Sequence, residues 1–208
     1  ITEAATRFWS VSILEHHIVS DLFSNQGKLP NNFDKTLPEQ LKSSAVQVFQ
    51  DEYLFDFITN NDDDERVIEA QIISNIRNTI MTLGHGFSFI ANQYRLDLAG
   101  EEFFIDLLFF NRPLRCLVAF ELKRGKFKPE YAGQLIFYLN VLDEKVKLQD
   151  ENPSIGIILC KEKNNTIVEF AVSTIDKAMG VATYRTSRNL PNEMKGILPD
   201  PDELAKLL

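Results

Sequence analysis

Basic residues are in short supply: 22 lysines and arginines face 30 aspartates and glutamates, giving a formal net charge of -8. Such a balance disfavours a broad nucleic-acid-binding surface and leaves any contact with a polyanion to local patches, metal-mediated neutralisation or sequence beyond this chain. Cysteine is nearly absent. Cys116 and Cys160 each sit in an apolar stretch and read as small buried hydrophobes rather than as a disulfide or a zinc site. His16, His17 and His85 show no metal-ligand spacing. No uninterrupted apolar run is long enough to span a bilayer, and the first residues lack the basic-then-apolar layout of a signal peptide. The cytoplasm is therefore the expected compartment, and no membrane partner is expected. Internal repeats and low-complexity segments are also lacking.

What is present is concentrated between Phe103 and Tyr138. Asp106 is enclosed by Phe103, Phe104, Ile105, Leu107, Leu108, Phe109 and Phe110. A charged residue rarely sits in such a run unless it is paired or bound to metal. The next apolar run closes on Glu121, Leu122 and Lys123. Strand side chains alternate faces, so Glu121 and Lys123 point one way and Leu122 the other. Asn111, Arg112 and Pro113 form a plausible hairpin turn that folds Asp106 back opposite the end of the second strand. Two carboxylates and one ammonium then converge, with the Leu122 carbonyl beside them. Carboxylate oxygens suit a hard divalent cation, and an ammonium held by them suits orientation of water or neutralisation of a phosphate. The structural alternative is an ordinary Glu121–Lys123 surface pair, worth roughly 0–1 kcal/mol, together with an Asp106–Arg115 ion pair.

Flanking elements add candidates. Residues 65–83 carry Ile68, Ile72, Ile76, Ile80 and Leu83 at the spacing of one amphipathic helix, with Glu69 beside the stripe. Asp62, Asp63 and Asp64 precede it as an N-cap and favourable dipole charge. A later helix buries Ala132, Leu135, Leu139, Leu142 and Val146, leaving Gln134 and Tyr138 on its shoulder. Between them lies a basic loop with Arg124, Lys126 and Lys128, suited to phosphate contacts that position a strand without reading bases.

The expected organisation is a helix over 2–23, a linker over 24–37, a helix over 38–50 and a short element over 52–58. From residue 61 helix and strand signals alternate, the pattern of an α/β layered domain with a mixed sheet. The tail from residue 188 carries Pro191, Pro199 and Pro201 and reads as an arm.

The run FFIDLLFFNRPLRCLVAFELKRGKFKPEYAGQLIFYLNVLDE, followed by NPSIGIILCK and preceded by GHGFSFIANQYRL, closely resembles the YhcG-type PD-(D/E)XK nuclease family of bacterial proteins. Similarity extends upstream through DEYLFDFI and WSVSILEHHI. The resemblance implies a restriction-endonuclease-like α/β core with a central mixed sheet flanked by helices, plus a small helical N-terminal appendage. The corresponding domains are 1–60 (with more helix implied upstream of Ile1), 61–187 and a C-terminal arm over 188–208. It further implies a magnesium- or manganese-dependent nuclease acting on DNA, with RNA as an open alternative. The implied catalytic residues are Asp106, Glu121, Lys123 and Gln134. Asp106, Glu121, the Leu122 carbonyl and Glu69 would form the metal shell, and Arg124, Lys126, Lys128 and Tyr138 would contact nucleic acid. A homodimer and restriction-modification or defence partners are the expected associations. The rival reading is a catalytically silent module that uses the same fold to bind DNA or such a partner.

Overall fold

The structure, a computed structural model, describes residues 28–58, 64–84 and 86–186. The expected helix over 2–23, the arm from 188, the three histidines, Asp62 and Asp63 lie outside the described residues. Six strands are present among them: β1 (Glu52–Phe55), β2 (Phe87–Leu98), β3 (Glu101–Asn111), β4 (Cys116–Lys126), β5 (Ile155–Glu162) and β6 (Met179–Thr186). They form one mixed sheet in the order β1-β6-β5-β4-β3-β2. β2, β3 and β4 make an antiparallel meander, whereas β4, β5, β6 and β1 run parallel. Parallel neighbours need long crossovers, and helices supply them here.

Two apolar layers follow from side-chain alternation. Val118, Phe120 and Leu122 of β4 face a layer covered by α1 (Phe33–Thr36), α2 (Glu39–Val48), α3 (Glu65–Ser74) and α4 (Ile76–Leu83). Leu117 and Ala119 face the opposite layer, covered by α5 (Glu130–Val141) and α6 (Asn165–Val172). Gly156 of β5 lets α5 pack directly on the sheet, since a Cβ there would lie 2.6 Å from Leu135. The β2–β3 turn uses Ala99 and Gly100, both at positive φ, as a two-residue hairpin favours.

The alternation slips once. Phe103 and Ile105 lie in the same layer as Leu108 and Phe110, while Leu107 and Phe109 lie in the other, so the phase changes at Asp106. Gln93 stands opposite, between the pairs Asn92↔Leu107 and Tyr94↔Ile105, with φ 44. On the other side of β3 the ladder to β4 ends at Leu107↔Phe120. The strands part at that point, and Asp106 sits at the fork.

Three expectations change. The helix expected over 65–83 is two helices, because Asn75 (φ -116, ψ 36) ends α3 and its side chain donates to the Gln71 carbonyl. The apolar stripe continues across the break, so spacing alone hides it. The linker expected over 24–37 is, from residue 28, part of the core: Leu29, Phe33 and Leu37 are buried in the α1–α4 layer. Asn32 anchors this segment, its Nδ2 donating to the carbonyls of Val172, Ile175 and Lys177 and its Oδ1 accepting from the Met179 amide. Finally, Arg124 and Lys126 belong to the end of β4 rather than to a loop, with Lys126 paired to Glu162 of β5.

Candidate active site

Strand register builds the centre of the site. Glu121 and Lys123 project from β4 on the α5 side, and Lys123 Nζ lies 3.3 Å from Glu121 Oε2. Asp106 reaches across the fork, where its Oδ2 accepts the Leu122 amide at 2.8 Å. A backbone N–H left unpaired by the parting strands is thereby satisfied. Arg115 pairs instead with Asp150 at 2.7 Å, at the turn end of the hairpin, so the alternative Asp106–Arg115 pair does not form.

Electrostatics at this centre are strained. Glu121 is 1% exposed, and its Oε1 is buried without a hydrogen-bond partner among the described residues. Burial first, and then the charge of Asp106, push its carboxyl up to about 8. Asp106 is also raised, mainly by burial, although the Leu122 amide and Lys123 favour its charged form. Burial by itself would lower Lys123, yet the charges of Glu121, Asp106 and Glu65 outweigh it and leave the ammonium raised. Both carboxyls therefore hold protons more tightly than usual while the lysine remains a cation.

Glu69 joins from α3. Asp64 starts that helix, its side chain accepting from the Arg66 amide as the expected N-cap, and Ile68 and Ile72 bury the adjoining face. Glu69 is turned toward the fork and accepts from Asn92 Nδ2 at 3.3 Å and from Gln93 Nε2 at 2.8 Å. Burial raises its carboxyl, these two hydrogen bonds oppose the rise, and Asp106 adds to it. Gln93 Nε2 also donates to Asp106 Oδ1 at 3.2 Å, so one amide bridges both acids.

From α5, Gln134 Nε2 donates to the Tyr138 hydroxyl at 2.8 Å. The buried Tyr138 phenol is raised, chiefly by burial, and feels the charges of Glu121, Asp106 and Lys123. The Lys123 ammonium lies 5.4 Å from the centre of the Tyr131 ring and that of Lys128 5.9 Å, within cation–π range. Arg124, Lys126 and Lys128 are exposed beyond the centre, and Lys128 approaches Glu130 at 3.5 Å.

Gln93, Asn92, Glu65 and Tyr131 were not among the residues the sequence pointed to. Glu65 accepts the Arg124 amide at 3.0 Å, tying the start of α3 to the end of β4. The one signal in the sequence was the polar pair Asn92–Gln93, which follows the apolar run Phe89–Ala91 and breaks the alternation of the strand.

A divalent cation fits the donor set on one observation in particular: the buried Glu121 carboxylate has an oxygen with no partner and shares its pocket with a second carboxylate. No three acidic, histidine or cysteine groups among the described residues stand in a ready-made metal geometry. The acids are instead clasped by Lys123 and Gln93.

The profile of the YhcG PDDEXK nuclease domain matches residues 46–199, a span that contains every residue named at this site. The chain belongs to that family. It is also 32% identical over 194 residues to "Putative nuclease YhcG" of Escherichia coli (strain K12), covering 90% of this chain and 50% of the relative. The chain thus spans about half the length of the curated relative it matches. Among solved structures, a repair endonuclease from Pyrococcus abyssi aligns with TM-score 0.41 and 16% identity over 62% of this chain and 49% of that one. An EndoMS–dsDNA complex aligns with TM-score 0.40 and 16% identity over 62% of this chain and 46% of the other. Membership of the PDDEXK family agrees with the mixed sheet flanked by helices, the fold expected from the resemblance. Among the described residues no helix is long and apolar enough to cross a membrane. The free cysteines are buried as expected, and burial pushes the Cys116 thiol up to about 12 and the Cys160 thiol to about 11.

Proposed function

We propose that this domain hydrolyses phosphodiester bonds in DNA with the help of magnesium or manganese. Asp106 and Glu121 would hold the cation, the Leu122 carbonyl would complete its shell on the strand side, and Glu69 would reach it from α3. The observation that carries this reading is the unpartnered, buried Glu121 oxygen beside Asp106, with Lys123 held 3.3 Å from the same carboxylate. A bound divalent cation would offset the repulsion of the two carboxylates, lower the pKa of a coordinated water and stabilise charge developing on the phosphate.

The remaining roles belong to the chain itself. Lys123, kept cationic by Glu121 and Asp106, orients the attacking water and faces the phosphate oxygens. Gln134 and Tyr138, bonded to one another, form the wall on the α5 side and support Lys123 or a phosphate. Arg124, Lys126 and Lys128 line the exit from β4 and offset part of the negative charge of a strand lying there. Because the chain as a whole is acidic, this short basic stretch is where a polyanion would be held.

The test is cleavage of single-stranded, duplex, branched and modified DNA, with an RNA arm, in magnesium, in manganese and in chelator. Cleavage should require the cation, and Lys123→Ala should reduce turnover by at least about 10³-fold while leaving DNA affinity nearly intact. Cleavage that persists in chelator would refute the cation chemistry. Binding without cleavage under every condition would make this a silent module, and cleavage confined to RNA would reassign the substrate.

A further inference from the structure

The fork between β3 and β4 carries acids from separate elements, and one residue outside the family motif touches two of them. Gln93 Nε2 donates to Glu69 on α3 and to Asp106 on β3, at 2.8 and 3.2 Å. Its backbone is held at φ 44 in the middle of a strand. An L-residue other than glycine, asparagine or aspartate rarely adopts that conformation, and where one does the strain clusters at functional sites. The strain has a visible outcome. It occurs directly opposite Asp106, where the face alternation of β3 slips, between the pairs Asn92↔Leu107 and Tyr94↔Ile105 and close to a β-bulge of β2 between Phe89 and Ala91.

Neither hydrogen bond contributes to the core, since Gln93 is exposed and β2 pairs with β3 on either side of it through Asn92↔Leu107 and Tyr94↔Ile105, the β-bulge of β2 falling separately between Phe89 and Ala91. A glutamine kept only for folding would lose little by becoming glycine, whose steric ease at positive φ offsets its larger backbone entropy. We infer that Gln93 is a positioning residue: its carboxamide spans Glu69 and Asp106 and sets the distance between the helix acid and the strand acid, so that α3 is registered on the fork. Asn92, bonded to the other Glu69 oxygen, restricts the same carboxylate from rotating away. The inference rests on the proposed function for its catalytic consequence, and its cation-binding readout stands without turnover.

Two variants test it. Gln93→Gly removes the amide and the strain together. Gln93→Asn keeps an amide and a backbone at home in positive φ, but is one methylene too short to bridge the two acids. For wild type and both variants, manganese affinity is measured by titration calorimetry, unfolding by thermal melts in chelator, and kcat and KM on a DNA duplex. Removal of a residue that orients metal-binding acids typically costs about 10- to 100-fold in affinity or activity. Both variants should lose manganese affinity to that extent, with melting temperatures close to wild type and a loss in kcat rather than KM. Manganese affinity and kcat at wild-type level in Gln93→Gly would overturn the assignment, as would recovery of both in Gln93→Asn, and so would loss of affinity accompanied by a lowered melting temperature in both variants. If the wild type binds manganese but cleaves nothing, the proposed function fails, and the affinity comparison still decides the role of Gln93.

Discussion

The two ends of the β3–β4 hairpin are built from the same chain a few residues apart and behave as opposites. At the turn end, five consecutive pairs run from Leu107↔Phe120 to Asn111↔Cys116. Phe109 and Phe120 meet edge to face at 5.6 Å, and the ion pair nearby, Arg115–Asp150, is on the surface. At the fork end, backbone pairing stops, a carboxylate takes over one amide, and charged groups are buried beside an oxygen with no partner. The first end is optimised for stability. The second holds polar groups whose mutual arrangement opposes stability, the usual mark of a site selected for chemistry.

That contrast can be broken most strongly from the stable end. Phe109→Ala removes a fully buried ring from the α1–α4 layer and should cost about 3–5 kcal/mol in chemical denaturation. A loss of under about 1 kcal/mol would mean that the layer collapses around the gap and that the turn end is not the anchor supposed here.

A smaller effect is expected from pH at the fork. Glu121 holds its proton up to about 8 in the folded chain against 4.5 ordinarily, so between those values the native state binds protons the unfolded chain has released. Stability in chelator should therefore fall as pH rises from about 5 to about 8, by on the order of 2–4 kcal/mol. Lys123, raised above 10.5, titrates beyond this window and does not oppose the trend. Urea unfolding at several pH values checks it, and Glu121→Gln should flatten the slope. A wild-type curve that is flat or rises with pH would contradict the buried-proton account.

The smallest change is expected from Asp106→Asn in chelator. An asparagine oxygen can still accept the Leu122 amide while the repulsion with Glu121 is removed. The melting temperature should stay the same or rise, whereas manganese binding disappears. A marked loss of stability would place Asp106 among structural residues.

How much of this was legible beforehand depended on which physical rule wrote the pattern. Asp106, Glu121 and Lys123 stood out because a charge in an apolar run and a two-residue period are visible in any strand. The mixed sheet followed from the alternation of helix and strand signals along the chain, and the helices flanking it were what the family resemblance implied. The clasp by Gln93 was not legible, since a single residue at positive φ leaves the apolar spacing around it unchanged. Asn75 was hidden for a similar reason: the stripe of Ile72, Ile76 and Ile80 keeps its period across the break. Residues 28–37 read as part of a linker because Gly27, Pro30, Asn31 and Asn32 signal turns, and only the tertiary contacts of Asn32 reveal a packed segment.

Asn32 also separates two quantities that are easily equated, the span of the family profile and the shortest piece of chain able to fold. A polypeptide starting at residue 46, where the family match begins, would keep all six described strands and every acid of the fork. It would also leave three carbonyls between Val172 and Lys177, and the Met179 amide, without their shared partner, and would empty the places of Phe33 and Leu41 in the core. Each lost hydrogen bond contributes about 0.5–1.5 kcal/mol and each emptied core place about 2–5 kcal/mol, comparable in sum to the whole stability of an ordinary domain. Dissection of this protein into independent parts therefore has to be guided by the carbonyls around Asn32, and the minimal autonomous unit extends upstream of the profile match.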